Sequence, residues 1–441
     1  MPVTGRQAAL KALSAYRQNG AFPDIVLDKM ETSARDTALA KQILCGVLQN
    51  MALCDYYIEH FSARSLKKLE PRVLDILRIS VYQILFLTKI PKSAAVSEGV
   101  ALTKKYSNPR GAGFVNAVLR KIAESAQNDE LPQIAAETEL RRLSITYSHP
   151  EWLVREFINA LGQGGAEELM SANNAADTPV TAQVNTLKAS AADVLESLRA
   201  DSVDAMPHEW IDGCIEMRRT GGVSRLSAFK KGYIYIQDIA ARLSVTAAGI
   251  KPADFVIDTC AAPGGKSFAA AIMMENSGQI ESCDIHEKKL NQITDGAARL
   301  GIDIITASHK DASAPSAEYA GKADAVLADV PCSGFGVLRK KAEIRYKPQQ
   351  EIESLPDLQR RIISNVSTYV KPGGVLLYST CTVFKRENED VAEWFLKDNP
   401  DFLPESFILP GIGDVPGGMI TLWPHIHGTD GFFICKLRRK L

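Results

Sequence analysis

After residue 236 the chain alternates short apolar runs with amphipathic segments, and this pattern constrains its fold more than any other feature. DFVIDTC, GQIESCD, ADAVLADV and GGVLLYST read as short buried strands, and helical segments separate them. Strand–helix alternation predicts a parallel sheet with helices on both faces. A last run, GFFICKLRRKL, reads as a closing strand with a basic end. In open sheets of this kind ligands bind beyond the carboxyl ends of the strands. The unusual residues of this sequence fall at those ends.

Upstream the periodicity changes. Residues 1 to about 125 read as helical throughout: RVLDILRISVYQILFL carries apolar residues at helical spacing, Pro91 stops it, and Ser93 is positioned to cap the next helix. A polar stretch from Glu124 to Glu139 reads as a linker. Between about 140 and 235 the pattern is mixed, with helices at PEWLVREFINAL and AADVLESLRA and strands at VTAQVN and YIYIQ. The expectation is a multidomain chain: an all-α domain over 1–127, a small α+β domain over 140–235 and an α/β domain over 236–441. A length of 441 residues accommodates all three. No apolar run reaches eighteen residues, and the first twenty residues read as an amphipathic helix rather than a signal peptide, so a cytoplasmic location is expected.

The formal net charge is −1, from 51 Lys+Arg against 52 Asp+Glu. That balance does not advertise a nucleic-acid binder, although phosphate binding needs only a local basic surface. The eight cysteines form no CxxC pair, which argues against structural zinc and disulfides. His425 and His427 form an isolated HxH, read as a loop contact; no metal is expected.

DFVIDTCAAPGGKS runs strand, glycine turn, helix, without the GxGxxG of a dinucleotide fold. Pro263-Gly264-Gly265 makes a tight turn, and the following helix N-terminus suits a carboxylate. Lys266 adds a point charge, and Asp258 is suited to brace the loop or bind an ammonium. Asp284 ends the next strand, where an acidic residue can accept both ribose hydroxyls. Asp311, in SHKDAS, would follow a further strand between GQIESCD and ADAVLADV, the third in order, where a carboxylate can meet an adenine amino group, and Asp329 ends the fourth, ADAVLADV. Singly each is an ordinary cap or loop residue. Together they suit an adenosine bearing a carboxylate and an ammonium but no phosphates, and S-adenosylmethionine is such a molecule.

ADVPCSGFG puts Cys332 just past the fourth strand, and YSTCT puts Cys381 just past the fifth. Neighbouring strands would bring both thiols to one pocket. Cytosine C5 is too weak a nucleophile to take a methyl group directly. A thiolate attacking C6 makes C5 electron-rich; methyl transfer, loss of the C5 proton and release of the thiol follow.

DTCAAPGGKS, DVPCSGFG and YSTCT resemble the motifs of the RNA 5-methylcytosine methyltransferases that share the Nop2/Sun domain, over roughly residues 140 to 441. The resemblance implies a Rossmann-like class I methyltransferase domain after an RRM-like subdomain, and Cys381 as nucleophile. It implies that Cys332 assists proton removal and release, and that Asp329 also faces the cytosine. It assigns S-adenosyl-L-methionine to Cys260, Ala261, Ala262, Pro263, Gly264, Gly265, Lys266, Asp284, Asp311 and Asp329. IPKSAAVSEGVALTKKY and FVNAVLRKI are similar to the NusB RNA-binding fold. A NusB-like domain joined to this catalytic domain is the layout of a family member that modifies one cytosine of small-subunit (16S) ribosomal RNA, so that RNA is the expected partner, bound by a monomer.

Departures from the family pattern concern the pocket and RNA contacts. Val330 and Phe335 are bulkier than the usual Ala and Thr, which predicts a reshaped base pocket. Gln183 stands where Arg is common, and Ile239 follows Gln237-Asp238 where an acidic residue is usual. LRKKAEIRYK (Leu338 to Lys347) reads either as a solvated face or as a basic run holding RNA phosphates, with Tyr346 stacking a base. Lys104, Lys105, Arg110, Arg120 and Lys121 suggest a second patch. The alternatives are a transfer RNA cytosine as target, and a non-catalytic RNA-binding ribosome assembly factor. A Thr-Cys nucleophile argues against DNA.

Overall fold

A computed structural model describes residues 3–20, 23–175 and 178–441, residues 23 and 24 by their backbone alone. The chain divides into two compact units, Met1–Ala176 with Leu338–Lys347, and Asp177–Val337 with Pro348–Leu441.

The first unit is helical, as the periodicity predicts. Its longer helices span Gly5–Asn19, Ala34–Gln49, Met51–Ser62, Pro71–Phe86, Lys92–Tyr106, Ala112–Gln127 and Glu151–Asn173. Hydroxyl caps start two of them: Thr4 accepts from Gln7 N–H and Ser33 from Asp36 N–H, satisfying donors that the first turn leaves free. The helix at Lys92 is preceded by Pro91 with no side-chain cap, so Ser93 lies within its first turn rather than capping it. Ile43, Leu48, Ile58, Ile76 and Val115 are fully or almost fully buried at the centre. One carboxylate lies among them: Asp75 accepts from Ser14 Oγ (2.9 Å) and Arg17 Nε (3.1 Å). By compactness the helices over 139–173 fall in this unit, whereas the sequence reading grouped them with the strands that follow.

The basic run Leu338–Lys347 also belongs to this unit. Arg345 is completely buried; its Nη1 donates to Gln49 C=O (3.0 Å), Ser148 C=O (3.3 Å) and Asn174 Oδ1 (2.9 Å). Tyr346 is half-buried and its hydroxyl donates to Leu48 C=O at 2.7 Å. Neither side chain is turned out to RNA. Burial lowers the Arg345 guanidinium to about 10, which leaves it charged at neutral pH. Lys340 and Lys341 alone stay exposed as the solvated-face reading expects.

The second unit opens with strands β1 (Val180–Val184), β2 (Asp204–Pro207), β3 (Cys214–Arg218) and β4 (Ile234–Ile236), antiparallel in the order β2-β3-β1-β4. Gln183 is buried, its Nε2 donating to Gln237 C=O (3.2 Å) and Cys214 Sγ (3.3 Å). Its side chain ties strands together, so a phosphate contact is not what this position supplies here. Asn185 Nδ2 reaches Leu300 C=O (2.7 Å) and fixes this small sheet to the larger domain that follows.

That domain has β5 (Phe255–Asp258), β6 (Gln279–Asp284), β7 (Ile305–His309), β8 (Ala323–Asp329), β9 (Val370–Thr380), β10 (Phe402–Pro404), a hairpin of β11 (Phe407–Leu409) and β12 (Gly413–Val415), then β13 (Met419–Leu422) and β14 (Phe432–Arg439). The main sheet runs β10-β14-β9-β8-β5-β6-β7, with β13 also on β14. The five strands from β9 to β7 are parallel. β14 lies antiparallel between β9 and β10, so the sheet is mixed at one edge rather than wholly parallel. The chain leaves β5 toward β6 and returns on its other side at β8. This reversal opens a crevice beyond the carboxyl ends of the strands.

Candidate active site

β8 and β9 pair in parallel with Asp329 opposite Ser379, so the residues that follow each strand come side by side. Cys332 Sγ and Cys381 Sγ stand 3.1 Å apart, and the Cys381 N–H donates to Cys332 Sγ at 3.3 Å. Gly336 N–H donates to Cys381 C=O (2.9 Å) and stitches the two turns. A Cβ at Gly336 would stand 1.8 Å from the Gly431 carbonyl oxygen, so only glycine fits.

Asp329 lines the same cavity as the two thiols. Its Oδ2 accepts from Lys266 Nζ at 2.6 Å and its Oδ1 from Ser379 Oγ at 2.9 Å. Burial works against the Lys266 charge, but Asp329 outweighs it and holds the ammonium above its ordinary range. The Lys266 charge also reaches Cys381, and a nearby cation favours thiolate over thiol. Cys332 differs: its bond to Cys381 and its burial push it well above the usual thiol range.

A cavity of about 470 Å³ opens beyond the strand ends. Of the residues singled out from sequence, Cys260, Ala262, Asp284, Asp311, Asp329, Cys332 and Cys381 line it. Asp284 is oriented by the N–H groups of Ala262 (3.1 Å) and His286 (2.8 Å). Asp311 accepts from Ser313 N–H and Oγ. Ala261, Pro263, Gly264 and Gly265 make the turn without lining the cavity. Gly264 has φ +110°, and a Cβ there would meet the Phe268 ring at 2.4 Å. Lys266 is likewise outside the lining, committed to Asp329. Val330 lines the cavity, whereas Phe335 is buried against Phe384 with ring centroids 4.9 Å apart and does not reach it.

Asp258 is fully buried; its Oδ2 accepts from Ser267 Oγ (2.7 Å), and it does not line the cavity. It braces the turn. Burial, first among the causes, raises its carboxyl to about 6. A raised carboxyl binds its proton more tightly in the folded state. Its contribution to stability is therefore present at low pH and is lost as pH rises from about 4 through about 6, by about 2–3 kcal/mol. Denaturation of wild type and Asp258→Asn between pH 4 and 8 should show wild type losing ground as pH rises. Parallel curves would remove the account.

Several lining residues lay outside the sequence reading. Ile285, 53% exposed, stands beside Asp284 and offers an apolar face, as do Leu358 and Ile362; His286 and Lys289 also line the cavity. The signal for Ile285 was available, since an apolar residue directly after an acidic strand end is unusual in a solvated turn. Leu358 and Ile362 come from the helix Leu355–Val366 and give no local signal. His427 Nδ1 accepts from Trp423 N–H at 2.8 Å, a loop contact. The described residues contain no group of three or more His, Cys, Asp or Glu that could hold a metal, and no helix long and apolar enough to cross a membrane.

Three family models match. The model for 16S rRNA methyltransferase RsmB/F matches residues 245–438, the NusB family model 4–124, and a ferredoxin-like domain of RsmF/B-like methyltransferases 149–224. The chain is 35% identical to a probable ribosomal RNA small subunit methyltransferase B of Bacillus subtilis, covering 99% of this chain and 98% of that one. It is 28% identical to ribosomal RNA small subunit methyltransferase B of Escherichia coli strain CFT073, over 99% and 98%. Among solved structures, that of PH0851 covers 100% of this chain and 99% of its own, at 28% identity and a TM-score of 0.81.

Proposed function

Because the chain belongs to the family of ribosomal RNA small subunit methyltransferase B, we propose that it methylates carbon 5 of a cytosine in 16S ribosomal RNA through a covalent adduct with Cys381. The observation that carries this reading is the pair of thiols 3.1 Å apart at adjacent strand ends, in one cavity with Asp329, which Lys266 pairs. We take three modules, 1–127, 140–235 and 236–441, as the working division. The exposed Lys104, Lys105, Arg110, Arg120 and Lys121 of the first are the candidate phosphate contacts.

The cavity suits S-adenosylmethionine in size and chemistry. It falls within the range of small-molecule sites, and it presents Asp284, Asp311 and Asp329 with the apolar Ile285, an acceptor set for an adenosine rather than for phosphates. When bound, that cofactor supplies the methyl group and leaves as its thioether. Asp284 would hold the ribose hydroxyls and Asp311 the adenine amino group. Lys266 favours the Cys381 thiolate. The thiolate bonds to C6, and the electron pair displaced onto the ring makes C5 nucleophilic. Asp329 is within the same cavity to meet the cytosine edge. Once C5 carries the methyl group, Cys332, having released its own proton to solvent, accepts the C5 proton as thiolate. The C5–C6 double bond re-forms and the Cys381 sulfur leaves as thiolate.

The test is methyl transfer from labelled S-adenosylmethionine to unmodified small-subunit ribosomal RNA, transfer RNA and DNA in parallel, with the product base mapped. Label in 5-methylcytosine at one position of the ribosomal RNA is the expected result. Label confined to transfer RNA would overturn the substrate, and cofactor binding without transfer to any RNA would favour a non-catalytic assembly factor.

A further inference from the structure

One buried carboxylate beside the thiols has no part in the chemistry described so far. Glu387 ends a short 3-10 turn, Lys385–Glu387, just after the Thr-Cys segment, and is completely buried. Its Oε2 accepts from the Ser333 N–H (2.9 Å) and from Gln359 Nε2 (3.0 Å), and the same Gln359 nitrogen donates to Pro331 C=O (3.0 Å). Both residues that flank Cys332 are thus fixed through one carboxylate. Its other oxygen, Oε1, is buried with no hydrogen-bond partner among the described residues. If only a brace were needed, an amide would serve, and burying a carboxylate with one idle oxygen is unfavourable. Glu387 also acts through space on Cys332, opposing negative charge on that sulfur.

We propose that Glu387 is a positioning residue for Cys332: it holds the thiol in place and keeps the proton on it while Cys381 attacks. This rests on the cysteine-adduct reading given above. The groups facing Cys332 are Cys381, Asp329, Glu387 and the buried hydroxyl of Tyr378. Lys266 stands behind Asp329 and reaches Cys381, and Arg360 of the helix Leu355–Val366 lies toward Tyr378. With Asp329 paired to Lys266, the negative charges left against Cys332 are the Cys381 thiolate and Glu387. A second thiolate there is opposed by both. When Cys381 bonds to C6 it loses its charge and its hydrogen bond to Cys332. Cys332 then gives its proton to solvent and becomes the base that takes the C5 proton. Glu387 is the charge that remains, so it sets the pH at which this last step becomes competent.

Glu387→Gln separates the charge from the brace, because its amide oxygen still accepts from Ser333 and Gln359. Two readouts are needed. In a single turnover on ribosomal RNA, decay of the covalent adduct is followed on denaturing gels against pH. In a Cys381→Ser background without RNA, alkylation of Cys332 by iodoacetamide is followed against pH. The expected result is that Glu387→Gln moves both profiles to lower pH by about one unit, making each rate about tenfold faster on the acid limb. Glu387→Ala, which also removes the brace, should slow adduct formation as well. Profiles of Glu387→Gln that superimpose on those of the parent would overturn the proposal. A wild-type protein that makes no 5-methylcytosine, with the alkylation profile still shifted, would show that the adduct reading had failed and the control of Cys332 by Glu387 had not.

Discussion

Replacing Cys381 by alanine is expected to abolish methyl transfer, with a loss of about 10⁴-fold or more, since nothing else in the cavity is positioned to attack C6. Cys332 is 3.1 Å away, but its bond to Cys381 and its burial hold the proton on it, and Glu387 bears on it as well. Cys381 has the Lys266 charge within reach instead. The Lys266 charge reaches one thiol and Glu387 bears on the other, and this difference is what would separate the proposed roles. Replacing Cys332 by alanine should leave the attack and the methylation intact and block the elimination, so that a covalent protein–RNA adduct accumulates to nearly one per enzyme. Both variants are read from one experiment: RNA labelled in one channel and methyl groups in the other, resolved on a denaturing gel. A Cys381→Ala protein that still labels RNA, or a Cys332→Ala protein that turns over freely, would reverse or remove the assignment.

The parts of this site that were legible in the sequence share one property. Each sits at or just past the end of a strand, and strand ends in an alternating chain converge on one side of the sheet. Asp284, Asp311, Asp329, Cys332 and Cys381 were found that way, and the cavity gathers all five. The resemblance to the Nop2/Sun methyltransferases supplied the roles of the two cysteines. What stayed hidden depends on partners far along the chain. Lys266 in the glycine loop suggested a contact to the cofactor carboxylate; its partner is Asp329, 63 residues on. Gln183 stands where Arg is common, and residue type did not say where its amide would go; it is buried between strands. Phe335 looked like a pocket wall and is packed on Phe384 instead. In each case the side chain could have gone either way on local grounds, and packing decided.

Arg345 is the sharpest instance, and it carries the second large effect. Truncation to alanine is expected to destabilise the helical unit by about 3–5 kcal/mol. The Gln49 and Ser148 carbonyls and Asn174 Oδ1 would each lose a charge-assisted donor inside the protein, and a large side chain would leave a void. These acceptors come from three separate stretches, so one guanidinium ties the ends of three segments to the run Leu338–Lys347. Replacement by methionine separates the contributions. It fills much of the space and removes a buried charge whose Nε and Nη2 have no partner among the described residues, so part of the loss should be recovered, leaving a deficit smaller than that of alanine. Denaturant unfolding of the three proteins measures this directly, and RNA binding against salt concentration supplies the opposing test. A phosphate contact would predict unchanged stability and a shallower salt dependence, by about one unit of slope. The buried geometry predicts the reverse, lower stability with the salt slope of the remaining folded protein unchanged, because a side chain enclosed among Gln49, Ser148 and Asn174 has no counterion to release.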